Sequence, residues 1–169
     1  MNPVRKNAFD IMMKASRSRT LSNSHSVHVN DIPKYDFKLQ FDGGSRGNPG
    51  VSGCGSVIFK NNNEMWNVHK FIGTDKTNNE AEYMGLLYGI KGCIELGIDE
   101  LLIQGDSQII INQIKGDFKV NSPKLKPYHT CIMDLLKKNI KSYHIEYIPR
   151  SDNSRADELA NLAMDEYKG

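Results

Sequence analysis

Residues 41–50 read Phe41-Asp42-Gly43-Gly44-Ser45-Arg46-Gly47-Asn48-Pro49-Gly50, and this segment decides the fold. The alternation of apolar and polar residues before it predicts a half-buried β-strand that ends at Asp42. The glycines that follow tolerate positive φ and let another molecule approach the main chain closely. An acid followed by bare backbone therefore suits a metal ion next to a polyanion, and other acids of the chain must complete such a site.

The composition is that of one globular domain preceded by a basic extension. The chain has 169 residues, 38% of them hydrophobic, which is long enough to bury a core. The net charge is only +2, but residues 1–34 carry six Lys or Arg against two Asp. We predict a flexible basic extension over 1–34 and a catalytic domain over 35–169. A short helix at 8–15 is conceivable, and a disordered end, a docking segment for protein or nucleic acid, and a mitochondrial presequence all stay open.

Cysteine usage and hydropathy bound the compartment. The three cysteines, Cys54, Cys93 and Cys131, are far apart and form no C-x-x-C motif. This disfavours a disulfide framework or a zinc site and favours an intracellular, reducing compartment, the cytoplasm or nucleus, with mitochondria also open. No apolar run approaches the ~18 residues of a membrane helix, so no membrane partner is expected. We expect a monomer.

Periodicity and turn signals predict the element order βββαβααβα, a mixed α/β domain. The first three strands form an antiparallel meander, and the short apolar fourth strand is typical of a buried parallel strand. The predicted strands are 37–42, 53–60, 65–72, 101–103 and 143–148, and the predicted helices are 77–96, 108–115, 128–139 and 154–167.

Four carboxylates lie at junctions of these elements. Asp42 and Asp106 end strands, and if those strands are parallel neighbours both acids leave the same edge of the sheet. Glu82 and Asp157 lie in the first turns of helices, where an acid also stabilises any helix as a cap or through the dipole. Asp106 also fits an N-cap. Capping does not explain Asp42, and Glu80 points away from Glu82, so we choose Glu82 for the site.

Clustered carboxylates repel one another and require a cation. Ligands that are all oxygen select Mg²⁺, with Mn²⁺ as a possible substitute, over zinc. Four acids can hold two ions ~4 Å apart, which is the arrangement that clamps a phosphodiester during displacement.

Four segments, taken in order, resemble the successive motifs of type 1 ribonuclease H over about residues 35–167. They are Asp42-Gly43-Gly44-Ser45-Arg46-Gly47-Asn48-Pro49-Gly50, Thr77-Asn78-Asn79-Glu80-Ala81-Glu82, Gly105-Asp106-Ser107-Gln108 and Arg155-Ala156-Asp157-Glu158-Leu159-Ala160-Asn161. The resemblance implies a ribonuclease H-like fold, a five-stranded mixed sheet with flanking helices. It also implies hydrolysis of the RNA strand of RNA–DNA hybrids with two metal ions, leaving 5′-phosphate and 3′-hydroxyl ends.

The resemblance also assigns roles to single residues. The acidic tetrad maps onto Asp42, Glu82, Asp106 and Asp157, which would be the catalytic residues and metal ligands. The substrate-binding positions are Gly43, Gly44, Ser45, Asn78, Asn79 and Gln108 for the 2′-hydroxyl and minor groove, and Asn48 and Thr77 for a phosphate of the DNA strand. For Asn78 and Asn79, plain helix capping is the alternative.

Two departures from the family pattern stand out. Many relatives have a histidine before the last acid, whereas this chain resembles the subgroup with arginine there, Arg150, which cannot shuttle a proton. The basic protrusion of many relatives is absent, and we hypothesise that the basic extension partly substitutes for it. A non-catalytic hybrid-binding module, and a nuclease of the same fold that also cuts double-stranded RNA, remain the alternative functions.

Overall fold

The computed structural model describes residues 33–169. Almost all of the predicted extension, including the short helix at 8–15, lies outside the described residues. Over the range 33–169, no helix is long and apolar enough to cross a membrane.

The described chain has the predicted order of five strands and four helices, with one 3₁₀ turn before the last helix. The strands are β1 (Phe37–Arg46), β2 (Gly50–Lys60), β3 (Asn63–Lys76), β4 (Glu100–Gly105) and β5 (Ser142–Tyr147). The helices are α1 (Asn78–Glu95), α2 (Gln108–Lys115), α3 (Lys126–Asn139) and α4 (Ser154–Asp165), and the 3₁₀ turn is Arg150–Asp152.

All five strands form one mixed sheet in the order β3-β2-β1-β4-β5. β1 lies at its centre, antiparallel to β2 and parallel to β4. Phe41 pairs with Gly105, so the next residue of each strand, Asp42 and Asp106, lies at the same level of the sheet. The predicted five-stranded mixed sheet is therefore confirmed, and its register brings two of the four acids together.

The predicted end of β1 at Asp42 is wrong. β1 continues to Arg46, and Gly43 and Gly44 pair with Cys54 and Gly53 of β2. The glycines belong to the strand and allow the flanking helices to approach it closely, and the hairpin connection is only residues 47–49. For the same reason β2 starts at Gly50 instead of residue 53.

Smaller differences occur at other element ends. β3 extends to Lys76 along β2 with register shifts, which are typical of β-bulges. α3 begins at Lys126 because Pro127 is accepted in the first turn of a helix. α1 and α2 end as predicted, with Gly97 and Gly116 in the left-handed conformation.

The sheet is covered on both faces. The larger core contains α1, α2 and α3 with one face of β1 and β4, and includes Leu86, Leu87 and Ile90 of α1. α4 covers the other face through a smaller cluster of Val57, Ala156 and Leu159. Trp66 packs against the larger core.

Candidate active site

Three carboxylates from three elements converge at the carboxyl edge of the central strands. Asp42 of β1, Glu82 of α1 and Asp106 after β4 each offer an oxygen, and these oxygens lie within 4.8 Å of one another. Asp42 and Glu82 are 7% and 8% exposed. The structure thus brings together three of the four predicted acids.

Glycines allow β1 and α1 to approach closely enough for this meeting. A Cβ on Gly43 would lie 2.1 Å from the carbonyl carbon of Ala81, the residue before Glu82. A Cβ on Gly85 would lie 2.5 Å from the main-chain oxygen of Asp42. Since real Cβ atoms do not approach backbone this closely, the absence of side chains at these two positions sets the separation of Asp42 from Glu82.

The cluster is electrostatically strained in the absence of a cation. Burial, followed by repulsion from Asp106, raises the pKa of Asp42 from 3.8 to about 7. Burial and the charge on Asp42 raise the pKa of Glu82 well above its usual value. Burial also raises the pKa of Asp106, against a hydrogen bond from Asn153 that lowers it.

Helix capping does not account for these acids. The capping box of α1 is formed by Thr77 and Glu80, whose side chains bond each other's backbone N–H. Ser107 is the N-cap of α2, and its hydroxyl accepts from Ile110 N–H. Glu80 is therefore the acid that caps α1, which leaves Glu82 for the cluster. Because Ser107 caps α2, the Asp106 carboxyl is also left for the cluster.

Asp157 lies beside the cluster but is engaged elsewhere. Its Oδ1 accepts from the Arg150 guanidinium at 2.9 Å, and the Arg150 side chain is 77% exposed. Both residues line the same cleft as the three clustered acids, with a volume of about 460 Å³. The same cleft is also lined by four of the residues predicted to bind the substrate, namely Gly43, Gly44, Ser45 and Asn78.

The hairpin and the start of α1 are tied together by asparagine side chains. Asn78 Oδ1 accepts from Ser45 N–H at 2.7 Å, and Asn48 Oδ1 accepts from Asn78 N–H at 2.9 Å. In each amide the oxygen is thereby used, and because both residues are exposed, the Nδ2 group remains a donor for a ligand. The Thr77 hydroxyl donates to Glu80 Oε2 at 3.1 Å, so any contact of Thr77 with a phosphate must compete with this bond.

A second cleft, of about 410 Å³, adjoins this region. It is lined by Asn48, Thr77, Asn78, Asn79, Ser122, Lys124 and Leu125. The predicted phosphate-binding pair, Asn48 and Thr77, therefore meets at one surface, to which Lys124 adds a positive charge. Gln108 is exposed at the first residue of α2.

Asn153 is a site residue that the sequence did not reveal. Its side chain is fully buried, and its Nδ2 donates to the main-chain oxygen of Phe41 at 2.9 Å. It also stabilises the charged form of the Asp106 carboxyl, which lowers the pKa of that group. In the sequence Asn153 is one polar residue in a polar loop, and only the packing of the loop under β1 distinguishes it.

The donor set fits a hard divalent cation. It consists only of carboxylate oxygens, which suit Mg²⁺ or Mn²⁺ and not zinc. Within the described part of the chain, Glu82 Oε2 is buried and lacks a hydrogen-bond partner. A buried carboxylate oxygen without a partner is costly, and a cation at this point would satisfy it.

Comparison with known proteins places this geometry in a family. Residues 40–163 match the family model described as reverse transcriptase-like. A bifunctional protein of Mycobacterium tuberculosis is 36% identical over 129 residues, which are 75% of this chain and 35% of that protein. The chain thus spans about a third of the length of that relative.

Two solved structures show the same fold at higher coverage. The crystal structure of RNase H1 from Halobacterium salinarum is 33% identical, with a TM-score of 0.74, over 78% of this chain and 98% of that one. The structure of LC11-RNase H1 in complex with an RNA/DNA hybrid is 34% identical, with a TM-score of 0.73, over 77% of this chain and 97% of that one.

Proposed function

Because the chain belongs to the type 1 ribonuclease H family, we propose that it hydrolyses the RNA strand of RNA–DNA hybrids. The products would be 5′-phosphate and 3′-hydroxyl ends. The observation that carries the proposal is the convergence of Asp42, Glu82 and Asp106 within 4.8 Å, with a buried, unpaired oxygen on Glu82. The hybrid bound by LC11-RNase H1 supports this choice of substrate.

The acids would act as ligands for two divalent cations, Mg²⁺ or Mn²⁺. Gly43 N–H donates to Asp42 Oδ1 at 2.8 Å and so helps to orient this carboxylate, and Glu82 and Asp106 reach it from α1 and from the end of β4. Asp157 would complete the tetrad once its carboxylate exchanges the bond to Arg150 for a bond to a cation. When bound, the two ions would activate the attacking water and stabilise the leaving 3′ oxygen.

The asparagines would read the substrate through donors. Since the oxygens of Asn48 and Asn78 are already held by backbone N–H groups, each presents Nδ2 to a ligand. A donor fits a phosphate oxygen or the lone pair of a 2′-hydroxyl, which DNA lacks. Asn78 lines the cleft of the acids, so we assign it to the RNA strand, together with Asn79, Gln108 and the backbone of Gly43–Ser45.

The adjoining cleft would hold the DNA strand. Asn48 and Thr77 would bind one of its phosphates, and Lys124 beside them provides the charge. Arg150, exposed in the cleft of the acids, would hold a phosphate of the RNA strand and assist release of the product. Its permanent charge allows binding but not proton transfer.

Cleavage of a labelled RNA–DNA hybrid in Mg²⁺ tests the proposal. The wild-type chain should cut the hybrid but not double-stranded DNA, and a double-stranded RNA control detects the broader nuclease. Asp106→Asn should abolish cleavage yet still bind the hybrid, because the amide keeps the shape of the side chain and removes its charge. Binding without cleavage by the wild type would identify a hybrid-binding module instead.

A further inference from the structure

A line of polar side chains crosses three strands just below the acids. Gln40 Nε2 donates to Gln104 Oε1 at 2.9 Å, and Gln104 Nε2 donates to Glu146 Oε1 at 2.7 Å. The three residues are paired across β1, β4 and β5. Gln40 and Gln104 each precede a clustered acid by two residues, so they share its face of the sheet.

The carboxylate at one end fixes the direction of the whole line. An ionised Glu146 only accepts hydrogen bonds, so Gln104 must turn its NH₂ group toward Glu146 and its oxygen toward Gln40. Gln40 must then donate. Without the carboxylate, the orientation of both amides would depend only on the single long hydrogen bond that Gln40 makes at the other end of the line.

The other end of the line reaches the 3₁₀ turn that carries Arg150. Gln40 Nε2 also donates to the main-chain oxygen of Asp152 at 3.4 Å. The next residue, Asn153, returns a bond to β1 through Phe41. Two side-chain amides, one from each side, therefore fasten the turn to β1, and the side chain of Gln40 is only 7% exposed in doing so.

We infer that Glu146, which lies outside the cleft, is a positioning residue that acts through Gln104 and Gln40 to hold the turn 150–153 in place. This inference rests on the proposed function only for its effect on cleavage. Its structural part, the order of the turn, does not depend on any activity. An amide oriented the other way would place the oxygen of Gln40 against the carbonyl of Asp152, which would release the turn.

The experiment compares Glu146→Leu, which removes the acceptor, with Glu146→Gln, which keeps an oxygen at that place. Glu100→Leu, an exposed acid at the start of β4, controls for loss of charge and for an added apolar side chain at the sheet. In protein without nucleic acid, we expect the amides of Asp152 and Asn153 to exchange hydrogen about tenfold faster in Glu146→Leu. The Glu100→Leu protein should stay within twofold of wild type, and Glu146→Gln should lie between wild type and Glu146→Leu, because its amide can accept from Gln104 but does not force that direction.

On hybrid, Glu146→Leu should lower kcat about three- to tenfold and leave KM within twofold. Gln40→Met removes the donor at the other end and should give the same loss. The double variant should be no worse than either single one, because both interrupt one line. Additive losses, or unchanged exchange at Asp152 and Asn153 in Glu146→Leu, would overturn the inference. If the wild type cuts no hybrid, the proposed function fails while the exchange result still decides the role of Glu146.

Discussion

The Arg150 guanidinium donates to Asp157 Oδ1 at 2.9 Å. The strongly exposed Arg150 thereby neutralises Asp157, the fourth acid of the cleft. Asp157 is consequently separate from the three carboxylates that face one another. Arg150 therefore places a guanidinium at the rim of the acidic cluster, where it can contact a phosphate of the proposed substrate once its bond to Asp157 is exchanged.

Arg150→Ala should slow turnover while binding of the hybrid survives. Loss of one charged group that contacts the reacting phosphate costs on the order of tenfold or more in kcat. The binding surface contributed by Asn48 and Asn78 is unaffected. Multiple-turnover cleavage together with equilibrium binding measures both quantities.

Arg155→Ala is the matched control. Arg155 lies on the same helix as Asp157, but its side chain pairs with Glu64 of β3 and with Glu158. It should leave kcat unchanged. Wild-type turnover of Arg150→Ala would remove Arg150 from the mechanism.

Gly43→Ala should destabilise the domain and separate the acids. The added Cβ would fall 2.1 Å from the backbone of α1, which cannot move without carrying Glu82 away from Asp42. Overpacking of this kind costs about 1–3 kcal/mol. Urea unfolding measures the loss of stability, and calorimetric titration with Mg²⁺ should show weaker binding.

Its neighbour Gly44 is the control. A Cβ there meets only the end of the flexible Met164 side chain, at 3.2 Å, so Gly44→Ala should unfold near the wild-type midpoint. Equal destabilisation by the two alanines would mean that the contact between β1 and α1 does not set the spacing of the acids.

The sequence was sufficient for the element order, and three of the four acids selected from it, Asp42, Glu82 and Asp106, lie together in the structure. It failed at Gly43 and Gly44, which it placed in a loop. A glycine in the sequence indicates a position without space for a side chain or with an unusual backbone conformation. It does not show whether a turn or a closely packed neighbour is the reason. The answer depends on pairing with β2, a contact distant along the chain.

The same limit applies to side-chain networks. The sequence indicated that Arg150 belongs to the site, yet nothing in residues 148–153 shows that Asn153 is buried or that Asp152 is bonded by Gln40. These contacts exist only because β1 lies beside the 3₁₀ turn in the folded sheet. Buried polar residues in loops are therefore the positions at which a structure adds most to the sequence.

Without divalent cations, the domain should lose stability as the pH rises from about 4 to about 7. Asp42 has a native pKa of about 7 against 3.8 for the unfolded chain, so the native state binds more protons in this window. The free energy of unfolding then falls with pH and levels off above it. A pKa shift of this size in Asp42 corresponds to a loss of at most roughly 4 kcal/mol in the free energy of unfolding.

Thermal unfolding in EDTA across this pH range tests the expectation. Asp106→Asn should unfold at a higher temperature than wild type at pH 7, by roughly 1–2 kcal/mol in stability, because it removes a charge that repels Asp42. Asp134→Asn, at an exposed position of α3, should show no gain. Mg²⁺ should stabilise the wild type at pH 7. A wild-type stability that climbs between pH 4 and 7 in EDTA would contradict the electrostatic account of the cluster.

Asn78→Asp separates the two uses of the Asn78 side chain. Aspartate keeps an oxygen for Ser45 N–H, which Asn78 Oδ1 now holds at 2.7 Å, but it removes the Nδ2 donor of this cleft-lining side chain. The fold should therefore remain intact while KM for the hybrid rises about tenfold, equivalent to ~1.4 kcal/mol. Asn63→Asp, at the far end of the sheet, adds the same charge and should leave KM unchanged. Asn78→Ala removes both the acceptor for Ser45 N–H and the donor for the hybrid, so it should lower the unfolding temperature as well as raise KM. If Asn78→Asp binds and cuts the hybrid as well as the wild type, the donor of Asn78 does not read the RNA strand.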